Sequence, residues 1–152
     1  MTSPSAQLRE LGLTLPSVAA PAGSYLPARR SGALVFTAGQ LPLVDGALAA
    51  TGKVGAEVTP EQGYDLARTC ALNALAAVDA LVGLDAVAGV VKVVGFVASA
   101  PGFTAQPGVI NGASDLLADV FGETGRHARS AVGVAELPLG APVEVELVVE
   151  LA

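Results

Sequence analysis

An α+β fold, with helices packed on one sheet, is what this chain predicts, and three stretches carry the prediction. Thr59-Pro60-Glu61-Gln62 is a capping box with proline at the first helical position, opening a helix that runs to Val82 and is ended by Gly83. AGVVKVVGFVA, residues 88–98, is a near-continuous apolar β run, the pattern of a central strand covered on both faces. The last strand, over 142–151, alternates. Val143, Val145, Leu147, Val149 and Leu151 point one way, and Glu144, Glu146, Val148 and Glu150 the other.

The remaining elements follow in order. SPSAQLREL, residues 3–11, is a short helix with Ser3 as N-cap and Pro4 at the first helical position, stopped by Gly12. LTLPSVAAPAGSYLPARRSG is rich in Pro, Gly and Ser and reads as an extended arm or loop. ALVFTAGQLPL favours a strand through Val35, Phe36 and Thr37, Asp45-Gly46 signals a turn, and ALAATGKVGAE adds a short strand. In the 59–82 helix Ala67, Cys70, Ala71, Ala74, Val78 and Leu81 recur at helical spacing, a buried stripe of mostly small residues. A second helix is expected over 107–121, stopped by Gly122, and a strand over 128–136 leads through LPLGAP, short enough for a hairpin, into the last one. The order is βββαβαββ after a small N-terminal helix, in one domain spanning 1–152 with residues 1–18 as an N-terminal extension.

Composition narrows the function. The chain is 52% hydrophobic and only 14% charged, so a monomer would expose much apolar surface, and an oligomer is expected. Net charge is −6 and the basic residues are scattered, Arg29-Arg30 being the one adjacent pair, which disfavours nucleic acid as a partner. Cys70 is the single cysteine, so no intrachain disulfide forms. The N-terminus lacks the basic leader and apolar core of a signal peptide, and no stretch has the run of apolar residues a membrane helix needs. A cytoplasmic location without membrane contact is therefore expected. With His127 the only histidine and Cys70 far from it, zinc and haem have too few ligands, and no metal or other cofactor is expected.

Among so few charges, Arg129 stands out. It sits inside a strand, sharing a face with the small residues Ala131, Gly133 and Ala135, which suggests space beside it for a ligand. A guanidinium fork matches a planar carboxylate, so one reading is a carboxylate pocket. The other is an ion pair with one of the strand glutamates, or a strand-end arginine in solvent. Both are open at this level.

HARSAVGVAELPLGAPVEVEL resembles the C-terminal signature of the Rid family, the reactive intermediate deaminases also called YjgF-like or endoribonuclease L-PSP proteins: an Ala-Arg-Ser, a short strand, Leu-Pro, then alternating Val/Ile and Glu. PAGSYLPARRSGALVFTAGQLPL resembles the N-terminal signature, with a loop tyrosine before a strand ending in Gly-Gln-Leu-Pro, and GKVGAEVTPEQGYDLARTCALNALAAVDA matches the first family helix. The resemblance covers residues 19–151 and implies a chorismate-mutase-like fold in a homotrimer with ligand clefts between subunits. It also implies cofactor-free hydrolysis of enamines and imines, chiefly 2-iminoacids, to 2-ketoacids and ammonia.

Carried over by position, Arg129 would bind the substrate carboxylate and Glu144 would orient or activate the attacking water. Tyr25 would cover the cleft from a mobile loop, Gly39 would let backbone approach the ligand, and Asn111 matches a family asparagine on the second helix. Ala131 stands where many relatives carry cysteine, Ala38 replaces a common serine, and the N-terminal helix and PGFTAQPG loop are additions. Two further readings compete with deamination: a non-catalytic trimer that binds small carboxylate metabolites, and a ribonuclease or translation inhibitor. The acidic balance and single histidine weigh against the last.

Overall fold

The computed structural model describes residues 2–152. Its elements are α1 (Pro4–Glu10), β1 (Ala28–Ser31), β2 (Leu34–Thr37), the two-residue strands β3 (Leu43–Val44) and β4 (Ala47–Leu48), α2 (Pro60–Val82), β5 (Val87–Ala98), α3 (Gln106–Phe121), β6 (Ala128–Val134) and β7 (Val143–Leu151). The main sheet runs β1-β2-β7-β5-β6, and β3 and β4 form a separate hairpin.

Local chemistry sets these boundaries. Thr59 accepts from the Gln62 backbone N–H at 3.1 Å while the Gln62 side chain accepts from the Thr59 N–H at 2.8 Å, closing the capping box that starts α2. The β3–β4 turn places Asp45 and Gly46 at φ 52° and 82°, the paired left-handed conformations that suit a two-residue hairpin. Of the expected α2 stripe, Ala67, Cys70, Ala71, Ala74 and Val78 are buried, but Leu81, in the last turn of the helix, is 46% exposed. Ala28–Ser31 pairs with β2 as an edge strand inside the segment expected to be an arm.

The β6–β7 hairpin does not form. β6 pairs with β5 in parallel, and β7 pairs with β5 on its other side, so the LPLGAP link crosses the end of β5 instead of turning back on itself. The reason is α3, which returns the chain to the start of β6 and so makes β5-α3-β6 a parallel crossover unit.

α2 and α3 both pack on one face of the sheet, over Val93, Val97, Val143, Val145, Leu147 and Val149. Within this chain β5 is therefore covered on one side, not two. Its near-continuous apolar run has two sources: Val94 and Phe96 are apolar on the open face beside Glu146 and Glu144, and register shifts against β7 fall at Val87/Gly89 and Val90/Lys92. Each shift inserts an extra residue, so Val87, Val90 and Val93 all face the core at a spacing of three. The other face stays open, with Phe36 at 45% and Val132 at 44% exposure.

Helix α3 approaches its neighbours closely because glycine faces it. A Cβ on Gly95 in β5 would stand 2.5 Å from the Ile110 side chain, and one on Gly112 would overlap the Tyr64 carbonyl oxygen of α2. A glycine in a helix costs about 1 kcal/mol of propensity, whereas burying Ile110, Leu116 and Leu117 returns roughly 1.5–3 kcal/mol each, so close packing wins.

Two glycines four residues apart on α3 should therefore respond with opposite signs. Gly112→Ala meets rigid backbone and should cost about 1–3 kcal/mol or more in urea unfolding. Gly108→Ala meets nothing within 4 Å and should gain about 0.4–1 kcal/mol. Equal effects at the two positions would contradict this packing.

Candidate functional site

Arg129 lies on the helix side of the sheet. Its strand partner is Val93, whose own partner across the sheet is Leu147, and both are buried beneath the helices. The guanidinium rests along one stripe of α3, where Pro107, Asn111 and Ser114 follow at helical spacing. Nη1 donates to Asn111 Oδ1 at 2.8 Å and to Ser114 Oγ at 3.2 Å, and Nη2 donates to the Pro107 carbonyl at 3.3 Å.

All three partners are neutral. The ion pairs among the described residues are Lys53–Glu136, Arg68–Asp119 and Arg126–Glu123, so Arg129 is held in place without being neutralised. The ion-pair reading of this arginine is not what the geometry supports. Of its five N–H donors, three are engaged. The two left, Nε–H and one on Nη2, are donors a carboxylate could bridge.

The small face beside Arg129 has a different use from the expected empty space. Ala131 packs against the core, and a Cβ on Gly133 would come within 2.7 Å of Gln106 Nε2 and 2.9 Å of Ser99 Oγ. Smallness here admits the start of α3, which then delivers the cradle for the guanidinium.

Glu144 lies on the opposite, open face. Its register partner is Phe96, which also pairs with Val132, and this row points away from the helices. Burial, and then the like charge of Glu146, push the Glu144 carboxyl above its ordinary range. Beside it β2 parts from β7: Thr37 Oγ1 accepts the Leu147 N–H at 2.9 Å, and main-chain pairing resumes only at Gln40 and Val145. The opening falls at Ala38-Gly39, where a Cβ on Gly39 would stand 2.6 Å from Glu144 Oε1.

Tyr25 is half exposed in the preceding loop, its hydroxyl accepting from the Ala22 N–H at 3.1 Å. Together with Gly39, Gln40, Leu41 and Leu139 it lines a cleft of about 160 Å³. The five residues singled out from the sequence thus fall into two groups. Arg129 and Asn111 are together on the helix side, Gly39 and Glu144 are together on the open face with Tyr25 sharing the Gly39 cleft, and the sheet separates the groups.

Sequence reasoning missed Ser114, and it met His127 only as the chain's single histidine, too few for a metal site. His127 Nε2 lies 2.8 Å from Ser114 Oγ, and Nδ1 lies 2.7 Å from the Gly125 carbonyl. No local signal marks Ser114, because α3 also carries Gln106, Asp115 and Asp119, so one more polar residue on it is not distinctive. Cys70 is fully buried on α2, and burial drives its thiol well above the ordinary value, the behaviour of a packing residue. Among the described residues no group of three or more His, Cys, Asp or Glu is placed to hold a metal ion.

This constellation on a half-covered α+β sheet matches a known class. Residues 5–151 fit the family described as "YjgF/chorismate_mutase-like, putative endoribonuclease", and the chain belongs to that family. It is 50% identical to Protein TCP17 of Trypanosoma cruzi over 97% of this chain and 93% of the relative. The crystal structure of Atu1372 from Agrobacterium tumefaciens, of unknown function, is similar at 46% identity and a TM-score of 0.91, covering 98% of this chain and 92% of that one. TdcF of Escherichia coli, solved with bound serine, is more distant, at 25% identity and a TM-score of 0.66 over 91% of this chain and 96% of that one.

Gly39→Ala tests the Gly39–Glu144 contact directly. The new methyl should swing the flexible Glu144 side chain into solvent, so that its carboxyl, followed by NMR titration, falls back toward the ordinary value of about 4.3. An unchanged titration would place the carboxylate elsewhere.

Proposed function

We propose that this protein is a cofactor-free hydrolase that converts 2-iminoacids to 2-ketoacids and ammonia, acting as a homotrimer in a reducing compartment such as the cytoplasm. The observation that carries the reading is Arg129, anchored by neutral acceptors with two donors free and no acid beside it. Such a group is built to receive an anion, and a carboxylate fits a bidentate fork. That a relative, TdcF, was solved with serine, a ligand bearing a carboxylate, supports this choice of anion.

Arg129 and Glu144 face opposite sides of one sheet, so a site using both takes Arg129 from one copy and Glu144 from another. The open sheet face, with Phe36 and Val132 exposed, supplies apolar surface for that assembly. Arg129 holds the substrate carboxylate, and Glu144 of the neighbouring copy takes a proton from water as the water oxygen bonds to the C=N carbon. The nitrogen gains that proton, and the resulting carbinolamine collapses as its hydroxyl proton passes to nitrogen and the C–N bond breaks, releasing ammonia and leaving a ketone. A general base contributes about 10²–10⁴-fold, best when its pKa lies near the working pH, and the raised Glu144 carboxyl moves in that direction.

Light scattering should give three times 15.0 kDa, and turnover should be indifferent to EDTA. Iminoacids generated in situ by an amino-acid oxidase provide the assay. Arg129→Lys replaces a planar fork with a point donor and should lower kcat/KM by roughly 10–150-fold, the equivalent of one charge-assisted hydrogen bond at about 1.5–3 kcal/mol. Glu144→Gln should lower kcat while leaving ketoacid binding intact; unchanged turnover would remove Glu144 from the mechanism, and no turnover by the wild-type protein would favour one that only binds carboxylates.

The same substitution should act on stability in the other direction. A carboxyl raised in the folded state destabilises the fold at neutral pH, and this penalty declines as pH falls through its folded value and is gone below its unfolded one. Glu144→Gln should therefore raise Tm at pH 7, with the gain fading in acid.

A further inference from the structure

The Arg129 cradle extends beyond the residues that touch it. Gly125 O can only accept, so His127 Nδ1, 2.7 Å away, carries a proton and donates it. In the neutral imidazole Nε2 is then the acceptor, and its neighbour at 2.8 Å is the Ser114 hydroxyl, which must donate to it. With its proton committed to His127, Ser114 Oγ presents lone pairs alone to Arg129 Nη1 at 3.2 Å. The backbone carbonyl at one end thus fixes the direction of every bond in the chain. That end is immobile: Gly125 is buried, and a Cβ there would overlap the Leu117 carbonyl of α3.

We propose that Ser114 and His127 are positioning residues, a directional relay anchored on the Gly125 carbonyl that fixes the rotation of the Arg129 guanidinium and leaves Nε–H and one Nη2–H for the substrate carboxylate. The proposal rests on the carboxylate reading of Arg129. Without Ser114, Nη1 keeps only its bond to Asn111, and the long 3.3 Å contact of Nη2 with the Pro107 carbonyl is the other hold on the guanidinium plane. Ser114, one turn further along α3, adds a second bond on Nη1 and tightens that hold. His127 keeps the serine hydroxyl from turning to its own helix carbonyls, a bond serine readily makes within a helix. The relay also explains why the one histidine of the chain stands two residues before the arginine, on the strand entry that faces α3.

The test is binding of 2-oxobutyrate to the intact assembly by calorimetry, with Tm measured alongside. Ser114→Ala should weaken binding about tenfold, the loss of a hydrogen bond worth about 1.4 kcal/mol. Ser114→Thr and Ser114→Val share a shape and differ by the hydroxyl, so the threonine variant should bind within about twofold of wild type and the valine variant should match Ser114→Ala. His127→Ala should weaken binding in the same direction, and the double variant should be no weaker than Ser114→Ala, because both changes break one chain. Wild-type binding by Ser114→Val and His127→Ala, even with a lowered Tm, would show a purely structural role and overturn the relay. So would additive losses, or a threonine variant as weak as the valine one. Wild-type binding by Arg129→Ala would overturn the carboxylate reading itself, a separate result.

Discussion

The structure depends on how closely helix α3 can approach β5, β6 and α2. A side chain on Gly95, Gly112 or Gly133 would hold it off, and each of these glycines meets α3 or its backbone neighbours at less than ordinary contact distance once a Cβ is added. The approach buries Val109, Ile110, Leu116 and Leu117 and completes the core. It also brings Pro107, Asn111 and Ser114 within hydrogen-bonding distance of an edge strand. Arg129 is therefore held by the same packing that stabilises the fold, and a site built on a helix stripe keeps its geometry better than one built on loops.

The sheet imposes the second constraint. Side chains alternate across a strand, so a cradle on one face and a half-buried acid on the other cannot meet within one chain. Chemistry requiring both groups demands association, and a surface with few charges and exposed Phe36, Val91 and Val132 favours it. Glu144 and Glu146 are an exception on this face. Two neighbouring acids, one of them half buried, oppose folding at neutral pH. Their presence is hard to account for by stability alone, and Gly39 with the strand opening at Thr37 leaves room for the first of them.

Much of this was legible in the sequence because it is written in local rules. The capping box of α2, the Asp45-Gly46 turn and the alternation of β7 each need only a few neighbouring residues to declare themselves. What stayed hidden was non-local. The pairing of β6 with β5 depends on where α3 delivers the chain, and a short link between two strands imitates a hairpin whichever neighbour each one takes. The β5 run looked covered on both faces because two bulges shift the phase of its first half and because Val94 and Phe96 are apolar on the face this chain leaves open. At the site, Arg129 was conspicuous as a charge in a strand, yet the small residues beside it read as empty space although α3 fills it. Ser114 was silent, since a serine in a helix acquires meaning only from what lies across from it.

The first residues of the chain bear on the same helix. Leu8 of α1 is buried in the common core, and α1 packs against α3. Its docking is fixed by Ser5, whose backbone N–H and hydroxyl donate to the Asp85 carboxylate at 2.8 and 2.6 Å and hold that carboxyl below its usual range. Leu13, Leu15 and Val18 continue the apolar contact along the arm that leads to Tyr25. α1 packs on the helix that carries the arginine cradle, and the arm that follows it leads into the loop that lines the Gly39 cleft. One N-terminal segment thus touches both halves, which the sheet itself keeps apart.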